Sequence, residues 1–331
     1  MKRKRTNSFN SSQQQQSISS IITGSKSNAA KFYLSEDCWE HVLRLLGNNP
    51  LRVDEEDPYK YVSLVSKQFL SITNRLRCYL SVEDHHTPPL LRRLFHRFTN
   101  LIILDLSSYN GNLDALLCEI SLFPLKITSL DLSDEPMIPA KGLQYFSQKI
   151  TTLTSLTCSY IHAINYTDLI LIADCFPNLE HLALNDCDDI SEEGIGHVLR
   201  KCCKMTHLNL EGCSDLKMTI NIEVPKLKVL ELSSTRVNDD ALFVISKNCH
   251  GIFQLSLNDC DDVTEKGVKH VVENCAQLQE IDLIRCCNVN SDVLASLILS
   301  RPSLKNVATP DRYRFSDKEM ELLLRQGCNV Y

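Results

Sequence analysis

One pattern constrains this chain more than any other. A motif of the form L-x-x-L-x-L, with conservative replacements, begins at Leu101 (LIILDL), Ile127 (ITSLDL), Leu153 (LTSLTC), Leu179 (LEHLAL), Met205 (MTHLNL), Leu227 (LKVLEL), Ile252 (IFQLSL), Leu278 (LQEIDL) and Leu304 (LKNVAT). The steps between starts are 26, 26, 26, 26, 22, 25, 26 and 26 residues. A unit this short cannot bury its own apolar face. A chain that repeats it nine times must stack the units side by side.

The period lies within the roughly 20–29 residues of leucine-rich repeats. Alternating leucines make each row one short strand with one face inward. The expected fold is α/β: a leucine-rich-repeat solenoid of about nine rows, with a curved parallel sheet inside and helices outside. "DISEEGIGHVLRKC" and "DVTEKGVKHVVENC" read as returning helices, capped by Ser191 and Thr264. Ile195, Val198 and Leu199 fall at helical spacing, as do Val268, Val271 and Val272. The row that begins at Met205 differs. After Cys213 it runs "SDLKMTINIEVPKLKVL", where Pro225 and the β-branched Ile220, Ile222 and Val224 oppose a helix. An extended return and a local change of curvature are expected there.

"NDCDD" occurs at 185–189 and again at 258–262, and three carboxylates in five residues suggest a cation loop. The copies are 73 residues apart, as are the rows that contain them. They are the same turn in two repeats, where Asp bonds local backbone. A calcium loop also needs a glycine and a terminal glutamate that are missing here. Cys187 and Cys260 match Cys213 and Cys286 at the ninth position of their rows, where a small apolar side chain fits a buried bend. Cys202, Cys249 and Cys275 each precede a row by three residues. All are expected to be structural. No metal or other cofactor is expected.

The flanks carry the rest of the organisation. Residues 1–30 contain "SSQQQQS", five basic residues (Lys2, Arg3, Lys4, Arg5, Lys26) and no acid. They read as a disordered Ser/Gln-rich tail, and "KRKR" as either a nuclear import signal or a solubilising run. The remaining residues balance 30 bases against 41 acids, a net −11 that opposes nucleic-acid binding. The 15 cysteines are odd in number and form no C-x-x-C pair, so reduced thiols of an intracellular protein are expected, with no secretory signal or membrane span. Residues 31–80 fall outside the period. Ser35 caps a helix bearing Trp39, Val42, Leu43 and Leu46 on one stripe, stopped by Gly47 and Asn48. After a polar loop, a second helical run carries Leu64, Val65, Phe69, Ile72 and Leu76. Three segments follow: the tail (1–30), a small all-helical module (31–80) and the repeat domain (81–331).

"LSEDCWEHVLRLL" and "VSLVSKQFLSITNRL" give the module a resemblance to an F-box. Leu34 stands for the opening leucine, and Val65, Ser66, Lys67 and Phe69 match the later stretch. Ser35 replaces the usual proline, and the acidic loop around Asp54–Asp57 is longer than usual. With the cysteine-containing repeats that follow, the chain resembles F-box/leucine-rich-repeat proteins, most of all those of plants. The resemblance implies a non-catalytic substrate-recognition subunit of a Skp–cullin–F-box (SCF) E3 ubiquitin ligase in the nucleus or cytoplasm. It implies that Leu34, Val42, Leu43, Leu46, Val65 and Phe69 bind the Skp-type adaptor, some of them while also building the module's core, with Leu34 and Leu46 the foremost contacts. Cullin would be reached through that adaptor. A scaffold with a degenerate F-box is the alternative.

The repeats would then hold the substrate protein. Outward positions on the inner face are the third, fifth and seventh of each row. Those columns include Asp105, Asp131, His181, Asn185, His207, Asn209, Glu211, Glu231, Asn258, Glu280 and Asp282, and no lysine or arginine. Such a face suits a basic or hydrogen-bond-donating partner, and does not suit anionic cofactors or phosphorylated partners. None of the common hydrolase, P-loop or dinucleotide motifs is present.

Overall fold

The computed structural model describes residues 34–46, 59–83, 86–310 and 315–331. The tail, the helix stop at Gly47 and Asn48, and the acidic loop at Asp54–Asp57 lie outside the described residues. The repeats form one eleven-stranded sheet in which every strand pairs in parallel with its neighbour in sequence. Strands β1 (Tyr79–Ser81), β2 (Ile103–Asp105), β3 (Ser129–Asp131), β4 (Ser155–Thr157), β5 (His181–Ala183) and β6 (His207–Asn209) precede the return segment of the short row. Strands β7 (Val229–Glu231), β8 (Gln254–Ser256), β9 (Glu280–Asp282), β10 (Asn306–Ala308) and β11 (Asn329–Val330) follow it.

Each strand occupies positions three to five of its row. The leucines at positions one, four and six point away from the concave face, and in the second row Leu101, Leu104 and Leu106 are fully buried. These buried leucines continue from row to row as a single core running from Leu80 to Cys328. Two more rows exist than the motif announces. The pairing of Tyr79 with Ile103 puts Arg77 where the first leucine belongs, and that of Asn306 with Asn329 puts Gly327 there. Loss of that leucine is what hides both terminal rows.

Helices return between most strands: α1 (Glu36–Leu46) and α2 (Lys67–Leu76) in the leading module, then α3 (Pro88–Arg97), α4 (Leu113–Ile120), α5 (Ala140–Lys149), α6 (Tyr166–Cys175), α7 (Glu192–Lys201), α8 (Asp239–Asn248), α9 (Glu265–Asn274), α10 (Ser291–Leu299) and α11 (Asp317–Gln326). Ser191 Oγ accepts from the Gly194 N–H and Thr264 Oγ1 from the Lys266 N–H, so both expected caps form. Between β6 and β7 no helix forms. Residues 214–226 return extended, with Ile222 and Ile220 resting against Gly196 of α7.

Two hydrogen-bond ladders, one from backbone N–H groups and one from thiols, explain the recurring turn. The eighth residue of seven successive rows (Asp134, Tyr160, Asp186, Gly212, Ser234, Asp259, Arg285) has φ between 52° and 73°. Its N–H turns to the next row: Tyr160 donates to the Asn185 carbonyl and Asp186 to the Glu211 carbonyl, each at 2.8 Å. Glycine and aspartate tolerate this left-handed geometry best, hence the Asp of "NDCDD". The ninth-position thiols donate to the preceding row: Cys187 to the Cys158 carbonyl (3.2 Å), Cys213 to Leu184 (3.1 Å), Cys260 to Leu232 (3.2 Å) and Cys286 to Leu257 (3.0 Å). Cysteine suits this place because it fills a buried bend and still donates weakly.

The leading module has its own small core of Leu43, Tyr59 and Ile72, walled by Trp39, Val62, Phe69 and Leu76. Trp39 and Phe69 place their ring centroids 4.8 Å apart. Arg75 joins α2 to α1 through Glu36 (2.8 Å) and Glu40 (3.2 Å). The module is tied to the repeats by Arg97, which donates to Asn74 Oδ1, and by Asn100, which donates to the Arg75 carbonyl.

Candidate binding surfaces

Two surfaces stand out: the exposed side of the module and the inner face of the sheet. In the module, α1 buries Leu43 against Ile72 and leaves Val42, Leu45 and Leu46 in solvent. After it, Tyr61, Leu64 (79% exposed) and Val65 (69%) project outward around a 3-10 turn at Val62–Leu64. Of the six residues singled out in the sequence, Leu43 belongs to the core and Phe69 packs against it. Val42, Leu46 and Val65 are exposed, and Leu34 is half-buried. Leu45, Tyr61 and Leu64, which are not among those six, are exposed as well. Soluble proteins do not lightly leave this many large apolar side chains uncovered in some forty residues.

On the inner face every singled-out residue lies on a strand or two residues beyond its end. Asp105 accepts from Tyr79 Oη (2.8 Å) and from Ser107; burial and that carboxylate push the Tyr79 phenol up to about 12. Asp131 accepts from the Ser133 N–H (2.9 Å) and hydroxyl (2.6 Å), and burial raises its carboxyl above the usual range. Asn185 bridges Ser159 (3.1 Å) and Glu211 (3.3 Å). Asn209 accepts from the Glu211 N–H, and Asp282 from that of Ile284. Glu231 accepts from Gln254 (3.1 Å), and Glu280 from Asn306 (2.8 Å). Burial raises the Glu231 carboxyl, aided by the charges of Glu211 and Asp282. Asn258 has its Oδ1 buried without a partner among the described residues. None of the six carboxylates on this face forms an ion pair with lysine or arginine among the described residues.

In the middle of the face His181 and His207 bring their ring centroids to 4.2 Å. Beside them the side chains of Ser155, Thr157 and Ala183 are small, and a hollow of about 200 Å³ opens there, bounded on its far side by Asn209 and Glu231. Burial, then His181, then Lys228 hold the His207 imidazole below its ordinary pKa. Sequence reasoning found both histidines but not their contact, because side chains 26 residues apart meet only through strand register.

The two rims differ in charge. Beyond the C-terminal ends of the strands lie Asp134, Glu135, Asp186, Asp188, Asp189, Asp259, Asp261 and Asp262, with Arg236 and Arg285 the basic residues among them. At the N-terminal ends stand the exposed Lys126, Lys204, Lys226, Lys228 and Lys305. Burial and the neighbouring Asp134 raise the Glu135 carboxyl to about 7. Tyr160 projects from the acidic rim, its phenol raised chiefly by Asp186. The "NDCDD" turns split their carboxylates: Asp186 takes the left-handed position and Asp188 meets His162 at 2.9 Å. Among the described residues no three potential metal ligands converge.

The repeat stretch from residue 120 to 249 matches the model for "FBD-associated F-box protein At5g56370, LRR repeats". F-box/LRR-repeat protein 4 of Bos taurus is 28% identical over 46% of this chain, and F-box/LRR-repeat protein 23 of Arabidopsis thaliana is 29% identical over 37%. Antagonist of mitotic exit network protein 1 of Candida glabrata is 28% identical over 50%. The matched stretches span 21%, 30% and 33% of those relatives' own lengths. Among solved structures, the leucine-rich-repeat-containing protein LegL7 of Legionella pneumophila aligns over 83% of this chain and 95% of its own, with a TM-score of 0.53 and 15% identity, which speaks to the fold alone. By the sequence of its repeats, then, set on a leucine-rich-repeat fold, this chain is similar to the F-box/leucine-rich-repeat proteins.

Proposed function

We propose that this protein is the substrate-recognition subunit of an SCF-type E3 ubiquitin ligase, with residues 31–80 as its F-box module. One observation carries the reading: a small helical module keeps Leu46, Leu64 and Val65 in solvent directly ahead of a repeat sheet whose inner face has no lysine or arginine. An apolar helical surface of this kind docks into a groove on a partner. Val42, Leu45, Leu46, Tyr61, Leu64 and Val65 are the contacts the exposure supports, with Leu34 at their edge. Leu43 and Phe69 act by holding the module together. The adaptor links the module to cullin, and the inner face holds a protein rich in basic groups. The chain does no bond chemistry; it raises the effective concentration of substrate near the ligase's catalytic arm. The basic run at Lys2–Arg5 supports the nucleus as one place of action, with the cytoplasm as the other.

The test is direct binding of a purified Skp-type adaptor to the full chain. Binding should be abolished by Leu46→Asp or Leu64→Asp, both at exposed positions where aspartate leaves the core intact. A folded protein without micromolar affinity for the adaptor would sink the ligase reading. It would favour a scaffold whose F-box has lost function, a reading kept open by Ser35 in the place of the usual proline.

A further inference from the structure

The hollow on the inner face asks for more than a generally basic partner. Its floor is small: Thr157 and Ala183 stand where neighbouring rows carry larger side chains. One wall is the His181–His207 pair, rings 4.2 Å apart and inclined by 47°. The other is Glu231, whose carboxylate is more than half shielded from water, bonded to Gln254, and without a cationic partner among the described residues. His207 pairs with Val229 across the β6–β7 step, so Glu231 lies one strand over and two residues along. Strand spacing and rise put those two backbones roughly 8 Å apart.

Resting on the reading of this face as the substrate surface, we propose that the hollow takes one arginine side chain from an extended basic segment of the partner. Its guanidinium lies against the paired imidazoles, and its fork of N–H groups meets the Glu231 carboxylate. Arginine fits where lysine does not. Its planar, weakly hydrated head stacks on rings and donates to a carboxylate at two points, whereas an ammonium is a strongly hydrated point charge. The low pKa of His207 supports this, because a neutral ring does not repel a guanidinium. The rims set the direction. Lys228 stands at the N-terminal rim and the carboxylates deepen towards the C-terminal rim. The side chain therefore lays its head over the histidines with the N–H fork turned towards Glu231 and Glu211.

A phage-displayed library of random 12-residue peptides, panned on the purified full chain at 150 mM NaCl, tests this. Selected peptides should share an arginine at one fixed position. In fluorescence polarisation, a synthetic copy with lysine at that position should bind about tenfold more weakly, and one with citrulline weaker still. Glu231→Gln should cost about tenfold, and Ala183→Leu, which fills the hollow without changing charge, a similar factor. Asp261→Asn, on the rim, should cost only about two- to threefold. Thermal melting confirms that each variant folds. Selection without arginine, equal binding of the lysine peptide, indifference to both Glu231→Gln and Ala183→Leu, or no selected peptide at all would each overturn the inference. Adaptor binding measured on the same preparations separates the two readings. Adaptor capture without arginine preference leaves the proposed function standing, and arginine capture without adaptor binding leaves only the hollow.

Discussion

At the scale of single residues, the thiols are the most constrained groups in the chain. Burial pushes Cys187, Cys202 and Cys275 up to about 11 and Cys213, Cys249 and Cys286 to about 12. Cys38, Cys203 and Cys287 are exposed. Alkylation proceeds through the thiolate. Iodoacetamide at pH 8 should therefore modify the three exposed residues in the native protein and reach the ladder only after unfolding, as peptide mapping by mass spectrometry would show. The same shifts set an alkaline limit. Above the unfolded thiol pKa of roughly 8.5 the unfolded chain loses protons that the native chain keeps, so stability falls as pH rises. Each buried thiol contributes up to about 1.4 kcal/mol per pH unit to that loss. Denaturant midpoints at pH 8 and pH 10 should differ accordingly, with the lower midpoint at pH 10. Sequence spacing alone located these cysteines in the solenoid. It did not show their bonds to the preceding row, since that depends on where a carbonyl of another repeat ends up.

At the scale of elements, neighbouring helices approach closely enough to require glycine. Asp114, in the first turn of α4, accepts from the Gly142 N–H of α5 at 2.6 Å. A Cβ on Gly142 would lie 2.8 Å from the Asp114 Cα, which is backbone and cannot rotate away. Asp239 makes the equivalent link from α8 to Thr264 and Gly267 of α9. Gly142→Ala would gain about 1 kcal/mol of helix propensity and lose roughly 1–3 kcal/mol to overpacking and the strained bond. We expect a net drop in melting temperature of a few degrees; a rise would mean that α4 and α5 are free to move apart. The helices themselves were legible because their apolar spacing and caps are local. Gly142 was not, because the reason for it lies in the row before. The short sixth row was legible from Pro225 and its β-branched neighbours. The two terminal rows were not, because Arg77 and Gly327 replace the one leucine that defines the motif.

At the scale of the molecule, two cores of very unequal size share one chain. The repeats bury a continuous run of leucines, whereas the module closes around Leu43, Tyr59 and Ile72. So small a core gives little stability of its own. Amide hydrogen exchange should show α1 and α2 opening more readily than β3 to β8. Ile72→Ala should cost about 2–4 kcal/mol, all of it local to the module. Circular dichroism would then retain the melting of the repeats while adaptor binding is lost. Simultaneous loss of both would show that the module and the sheet unfold together. In the sequence the motif is first recognisable at Leu101, whereas the first row of the structure already starts at Arg77. Which apolar residues of the module face solvent was not legible there, since a single amphipathic stripe serves core and surface alike.

The missing helix of the sixth row bears on the inner face in front of it. Helices α4 to α7 pack in succession on one side of it and α8 to α11 on the other, with only the extended stretch 214–226 between. The sheet in front is unbroken, its β6–β7 hydrogen bonds intact. Behind those two strands an extended segment that buries Leu216, Met218 and Val224 stands where every other step has a helix. The histidine hollow spans the β6–β7 step. The proposed arginine would rest over the one step, among the described residues, whose return is not a helix.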